Sequence, residues 1–149
     1  MNIELVEKMV LILFLIIFTF QDIRKKEIHT IGVVLFYMII VDIQIYKFLT
    51  GININFGDMI LGICSGVLLL PLSKLNILGE GDAFVFIGSG AILGLNGNIL
   101  LFFISIFIVS IYALFMSVYC MIKKRKIKGM QVAMLPFITM ANCIIWICI

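Results

Sequence analysis

The chain has 149 residues, of which 64% are hydrophobic and 13% charged, with a net charge of +3. An average soluble domain is about half apolar and about a quarter charged. This composition, with a mean hydropathy of +1.27, therefore excludes a soluble domain of any size and predicts an all-α polytopic membrane protein.

An open chain crosses a bilayer as helices of about 20 apolar residues, because lipid offers the backbone no hydrogen-bond partners. The first apolar run covers residues 3–23 and is densest from Met9 to Phe20. It lacks a basic start and a small-residue cleavage site, so it is expected to stay in place as a helix. A basic loop follows, Arg24-Lys25-Lys26-Glu27, and then a second span over residues 28–49, with Asp42 and Gln44 towards its far end. Residues 50–57 read as a loop from their Asn and Gly content. Asp58 is placed to cap the third helix by accepting an orphan amide of its first turn. That helix reaches about Leu72, with Pro71 near its end and a Gly62-xxx-Gly66 spacing suited to close packing.

Residues 73–81 read as a loop. The fourth span, residues 82–95, has 14 residues, giving about 21 Å against a hydrocarbon core of about 30 Å. Its Gly88, Gly90 and Gly94 predict tight packing inside the bundle. Asn96-Gly97-Asn98 reads as a turn before a long fifth span over residues 99–122. A basic stretch from Lys123 to Lys128 separates this from a sixth span over 130–149, in which Pro136 predicts a kink or an interhelical cavity. The expectation is six transmembrane helices forming one domain over residues 1–149. The four cysteines, Cys64, Cys120, Cys143 and Cys148, lie in apolar runs with no CxxC pair. They read as small buried residues, not as a zinc site or a disulfide framework.

Charge sets the orientation. The loops after the first, third and fifth spans carry nine of the eleven Lys and Arg residues, and only Lys8 and Lys47 fall on the other side. The positive-inside rule then makes the odd loops cytoplasmic and leaves both termini outside. Asp22 and Asp82 both land at cytoplasmic helix ends.

Those two acids are the candidates for chemistry, since a carboxylate at the edge of hydrocarbon is costly unless it meets water or a partner. Asp82 closes the polar break Leu78-Gly79-Glu80-Gly81-Asp82. Two carboxylates held together share a proton: one stays charged and activates water, while the other polarises a carbonyl and protonates a leaving amine. Gly79 and Gly81 permit close approach of an extended substrate backbone. Taken singly, an Asp opening a helix is ordinarily an N-cap, and Asp22 can be a loop acid paired with a neighbouring base. Their joint placement at one face, in a chain with eight acids, favours the functional reading. Glu80 and His29 read as solvated or interfacial loop residues, and no metal or other cofactor is expected.

The pattern resembles the type IV prepilin peptidases, membrane aspartyl proteases with a Gly-x-Gly-Asp motif. Asp22-Ile23-Arg24-Lys25-Lys26-Glu27-Ile28-His29-Thr30 is similar to that family's first Asp motif, with His29-Thr30 replacing its Pro-Asn. Gly79-Glu80-Gly81-Asp82 is similar to the second, with Phe84 where a Lys often stands. Gly88, Gly94 and Leu135-Pro136-Phe137 resemble later features of the same family. The resemblance implies an aspartic-type endopeptidase that removes the short leader of prepilin-like proteins at the cytoplasmic membrane face, with Asp22 and Asp82 catalytic. With only a few residues between the first two spans, it implies the compact, peptidase-only form. The expected partners are a prepilin-like substrate and the lipid bilayer, with no nucleic acid. The competing reading is a non-catalytic membrane scaffold or assembly factor of a pilus or secretion system. A small ion or proton carrier fits less well, because both acids lie at one face.

Overall fold

A computed structural model describes residues 3–25, 28–75, 78–123 and 133–148. All regular structure among the described residues is helical: α1 (Ile3–Lys25), α2 (Thr30–Leu49), α3 (Phe56–Val67), α4 (Leu70–Lys74), α5 (Glu80–Ile122) and α6 (Leu135–Cys148). Three helical segments are long and apolar enough to cross a membrane: Thr30–Leu49, Phe56–Lys74 and Glu80–Ile122. Leu135–Ile147 is a shorter apolar helix.

α5 is continuous only in its ladder. At Gly94 the backbone turns to φ 69° and ψ −171°, outside the helical region. In a straight helix Phe86 and Asn98 would stand about 18 Å apart. Here the Asn98 amide donates to the Phe86 carbonyl at 3.1 Å, and its oxygen accepts from the Ser89 hydroxyl at 2.8 Å. α5 is therefore a helical hairpin, with a first arm over residues 80–93 and a second over 95–122. The sequence places this turn at Asn96-Gly97-Asn98, whereas the reversal falls at Gly94 and those three residues continue the second arm.

What fixes the turn is Asp58. Its carboxylate accepts the backbone N–H of Leu95 at 3.0 Å, and a Cβ on residue 94 would fall on that carboxylate. Asp58 thus caps the second arm of α5, not its own helix. The start of α3 is instead capped by Asn55, whose side chain accepts the Asp58 N–H at 3.3 Å. With Asn55 in the capping position, the Asp58 side chain is free to satisfy an orphan amide elsewhere. α3 also ends earlier than the sequence suggests. The chain turns at Leu68 and Leu69, and α4 restarts with Pro71 in its first turn, where a missing N–H goes unnoticed.

Small residues bring α3 against the first arm of α5. Gly62 and Gly90 meet backbone to backbone, and a Cβ on either would collide with the other's carbonyl. Asn98 then ties this layer together, donating also to Ser65 Oγ at 2.9 Å and the Gly62 carbonyl at 3.3 Å. In hydrocarbon, stranding such polar groups costs about 1–2 kcal/mol. Asn98→Ala is expected to lower the SDS unfolding midpoint of the reconstituted protein by an amount of that order. Asn96→Ala, at an exposed position of the same arm, should leave it unchanged.

α1 completes the core by packing Leu11, Leu15 and Phe18 against Leu135, Ile138 and Ala141 of α6. The hydroxyls of Thr19 and Thr139 hydrogen-bond between these helices at 2.7 Å. Pro136 lies in the first turn of α6, so it introduces no mid-helix kink; residues 130–132 of the predicted sixth span lie outside the described residues. Of the cysteines, Cys120 is buried and Cys143 half-buried, but Cys64 is exposed on α3, contrary to its expected burial. At the end of the bundle remote from Asp22, buried Glu7 forms an ion pair with Lys47 at 2.6 Å and accepts from Gln44 at 3.1 Å. Nothing in the sequence singles out Glu7.

Candidate active site

Asp22 sits in the last turns of α1. Beyond the helix, the His29 N–H donates to Gln21 Oε1 at 3.1 Å, and Ile28 lines the same cavity as Asp22. On α5, Gly79 takes the N-cap position with extended backbone, φ −65° and ψ 140°, and Asp82 is the third helical residue. The Asp82 N–H donates to the Gly79 carbonyl at 3.1 Å, while its carboxylate is held by a backbone hydrogen bond at Gly79. This reach back to the cap is one half of a capping box.

Both glycines have a structural reason. A Cβ on residue 79 would stand 2.8 Å from Asp82 Oδ2, close enough to displace the carboxylate. A Cβ on residue 81 would run into the Ile28 side chain. Gly81 therefore lets the first turn of α5 lie against the segment that follows Asp22.

The result is a cavity of about 570 Å³ whose lining includes Asp22, Thr30, Tyr37, Gly79, Glu80, Gly81 and Asp82. Asp22 and Asp82 interact electrostatically across it. Asp82 is 8% exposed and Asp22 half-buried. Asp22 Oδ2 also accepts the N–H of Leu135 at 3.3 Å, from the start of α6. Three stretches distant in sequence thus converge: the α1–α2 junction, the Gly79–Asp82 turn and the first residue of α6.

Tyr37 is the residue that sequence reasoning missed. Its hydroxyl donates to the Phe84 carbonyl at 2.7 Å, pinning α2 to the turn of α5 that carries Asp82. The available signal was a tyrosine in the middle of an apolar span, since a phenol placed there needs a partner. Tyr37→Phe removes this tether without changing the ring. It is expected to lower turnover at the site about 3- to 10-fold and to cost no more than about 1.5 kcal/mol in unfolding, the range of one neutral hydrogen bond; initial rates and SDS unfolding of the reconstituted variant check both.

Other residues singled out from the sequence do not join the site. His29 is exposed and contributes its backbone. Asp42 is exposed on α2 and lies outside this cavity. Lys74 ends α4, and most of the basic stretch from Lys123 to Lys128 lies outside the described residues. Among the described residues, no three His, Cys, Asp or Glu side chains gather in a way that could hold a metal ion.

Residues 9–114 match the type IV leader peptidase family. The chain belongs to that family. The matched stretch contains Asp22, Tyr37 and the whole Gly79–Asp82 turn, and stops short of α6. No curated protein and no solved structure matches the chain. Membership in the type IV leader peptidase family makes this a leader-peptidase-like protease, and its long apolar helices suit a membrane protein.

Proposed function

We propose that the protein is a membrane aspartyl endopeptidase that removes the short leader of prepilin-like proteins, with Asp22 and Asp82 as its catalytic pair. The observation that carries this is the convergence of both acids on one cavity, where Asp82 feels the charge of Asp22. Gly79 and Gly81 line that cavity and let Asp82 and Ile28 sit close around it. One carboxyl group carries a proton and the other is charged. The charged one takes a proton from a water held between them, and the water oxygen attacks the scissile carbonyl carbon. The protonated one donates its hydrogen to the carbonyl oxygen as negative charge develops there. Collapse of the tetrahedral intermediate breaks the C–N bond. The leaving amine takes the proton that came from water, and the second carboxyl recovers its own from the new acid's hydroxyl.

In this reading the chain is one domain of six membrane-spanning helices, with the two arms of α5 as the fourth and fifth. The basic loops and the acid pair face the cytoplasm and both termini lie outside. A leader that stays in the cytoplasm then meets the acids where it joins its apolar segment. The test is cleavage of a prepilin-like substrate by the protein reconstituted in liposomes. Wild type should release the leader, and neither Asp22→Asn nor Asp82→Asn should. Complete processing by either variant would overturn the catalytic pair, and no processing by wild type would leave a non-catalytic membrane scaffold as the better reading.

A further inference from the structure

The ion pair of Glu7 and Lys47 borders a second polar cavity, of about 450 Å³, among α1, α5 and α6. It lies at the end of the bundle away from the acids, since Glu7 and Asp22 stand about 22 Å apart along α1. Helix positions give its depth. Glu4 and Trp146 sit near the outer helix ends, Lys8 and Asn142 one turn further in, and Ile12 a turn beyond Lys8. In a bilayer such helix ends meet the headgroups, where a half-exposed tryptophan is at home. The lining is thus polar at the mouth and apolar below, in the order of a phospholipid from headgroup to acyl chain.

Three polar groups in that lining lack a partner among the described residues. Asn142 is 4% exposed yet makes no hydrogen bond. Neither of its amide atoms is sealed off, so the amide itself faces the cavity that Asn142 lines. A side-chain amide so deeply placed costs stability unless something pairs with it, and it needs a ligand with both an acceptor and a donor. Glu4 and Lys8, one turn apart on α1, form no ion pair with each other or with any other described residue. Glu7 and Lys47 satisfy each other. What the cavity offers a ligand is therefore one carboxylate, one ammonium and one amide.

We propose that this cavity binds the headgroup of a phospholipid that carries a primary amine, of the phosphatidylethanolamine class. Its phosphate oxygens accept from Lys8 and from the Asn142 amide nitrogen, and its ammonium donates to Glu4 and to the Asn142 amide oxygen. Charge selects the class. Two carboxylates and two ammonium groups line the cavity, so a zwitterion leaves no charge uncompensated, whereas a purely anionic headgroup sets its phosphate against an unpaired Glu4. A choline headgroup has the same charges, but its quaternary nitrogen has no N–H to give and strands the Asn142 oxygen. Bound there, the lipid links Glu4 and Lys8 of α1 to Asn142 of α6, the two helices that meet again at Asp22 and Leu135. The proposal rests on the helices spanning a bilayer and not on the peptidase reading of Asp22 and Asp82.

The test places the full chain in vesicles of phosphatidylethanolamine with phosphatidylglycerol, and in vesicles with phosphatidylcholine replacing the ethanolamine lipid. Native mass spectrometry after detergent extraction reads the lipid retained, and the SDS unfolding midpoint reads its effect in each vesicle. Wild type should retain the ethanolamine lipid about tenfold over the choline lipid, as fits one hydrogen bond to a charged group, and unfold at a higher midpoint in its presence. Asn142→Leu keeps the side-chain volume without the hydrogen bonds and should abolish the preference. Glu4→Gln, at an exposed position where folding is little affected, should weaken it too, so that misfolding of the Asn142 variant would not decide the matter. Equal retention of the two lipids by wild type, retention of phosphatidylglycerol in their place, or an unchanged preference in either folded variant would overturn the proposal. So would free phosphoethanolamine that raises the midpoint in choline vesicles as far as the ethanolamine lipid does, since the ligand would then be the soluble headgroup. Leader cleavage enters none of these readouts, so the peptidase reading stands or falls separately.

Discussion

Asp82→Asn is expected to reduce leader cleavage by about 10³-fold or more, and Asp22→Asn by a similar factor. Positioned acid–base groups contribute about 10²- to 10⁴-fold each, and an amide can neither hold a negative charge nor pass on a proton. The two acids would act as one unit on one water, so the double variant should be no slower than either single one. Stability supplies the contrast. An asparagine oxygen at residue 82 can still accept the backbone hydrogen bond at Gly79, so the unfolding midpoint should shift by no more than about 1 kcal/mol. Glu80→Gln removes an exposed acid two residues away and should retain activity within about threefold. In wild type the pH profile of kcat/KM should be bell-shaped, with limbs that belong to the pair and not to either acid. A single-limbed profile, or activity losses that multiply in the double variant, would show that the acids do not share a water.

Much of this site is legible in the sequence because hydrocarbon makes polar residues conspicuous. Asp22 and Asp82 stand out in a chain with so few charges, and the Gly-x-Gly-Asp break marks a helix start, although Glu80 and Gly81, which read as loop, already belong to the first turn of α5. The helices are readable for the same reason, since lipid leaves the backbone no alternative. What the sequence hides is partnership over distance. Asn96-Gly97-Asn98 is the stronger local turn signal, yet the reversal occurs at Gly94 because the carboxylate that stabilises it belongs to Asp58, 37 positions before Leu95. From the sequence Asp58 looks like a cap for its own helix, and only the fold shows that Asn55 has taken that role. Tyr37 and Glu7 are hidden in the same way, their partners Phe84 and Lys47 lying 47 and 40 positions along the chain.

The same chemical change should have opposite consequences at two glycines of α3. Gly57→Ala adds a methyl group whose nearest neighbour is Asn55 Oδ1 at 3.6 Å, an ordinary contact. Removing the backbone freedom of a helical glycine should then stabilise the protein by up to about 0.5–1 kcal/mol. Gly62→Ala meets the Gly90 carbonyl, and its next neighbour is the Gly94 carbonyl carbon at 2.8 Å. These are backbone atoms that cannot rotate away. The cost should reach about 3 kcal/mol or more, the upper end for overpacking, because relief requires moving α3 off both the first arm of α5 and its turn. That displacement also loosens the Asp58 cap on Leu95 and the hydrogen bonds of Asn98. Since the first arm carries Asp82 at its start, Gly62→Ala should lose cleavage together with stability, whereas Asp82→Asn loses cleavage alone. SDS unfolding and leader release measured on the same preparations separate the two. Equal stability of the Gly57 and Gly62 variants would mean that α3 and the first arm of α5 do not meet backbone to backbone.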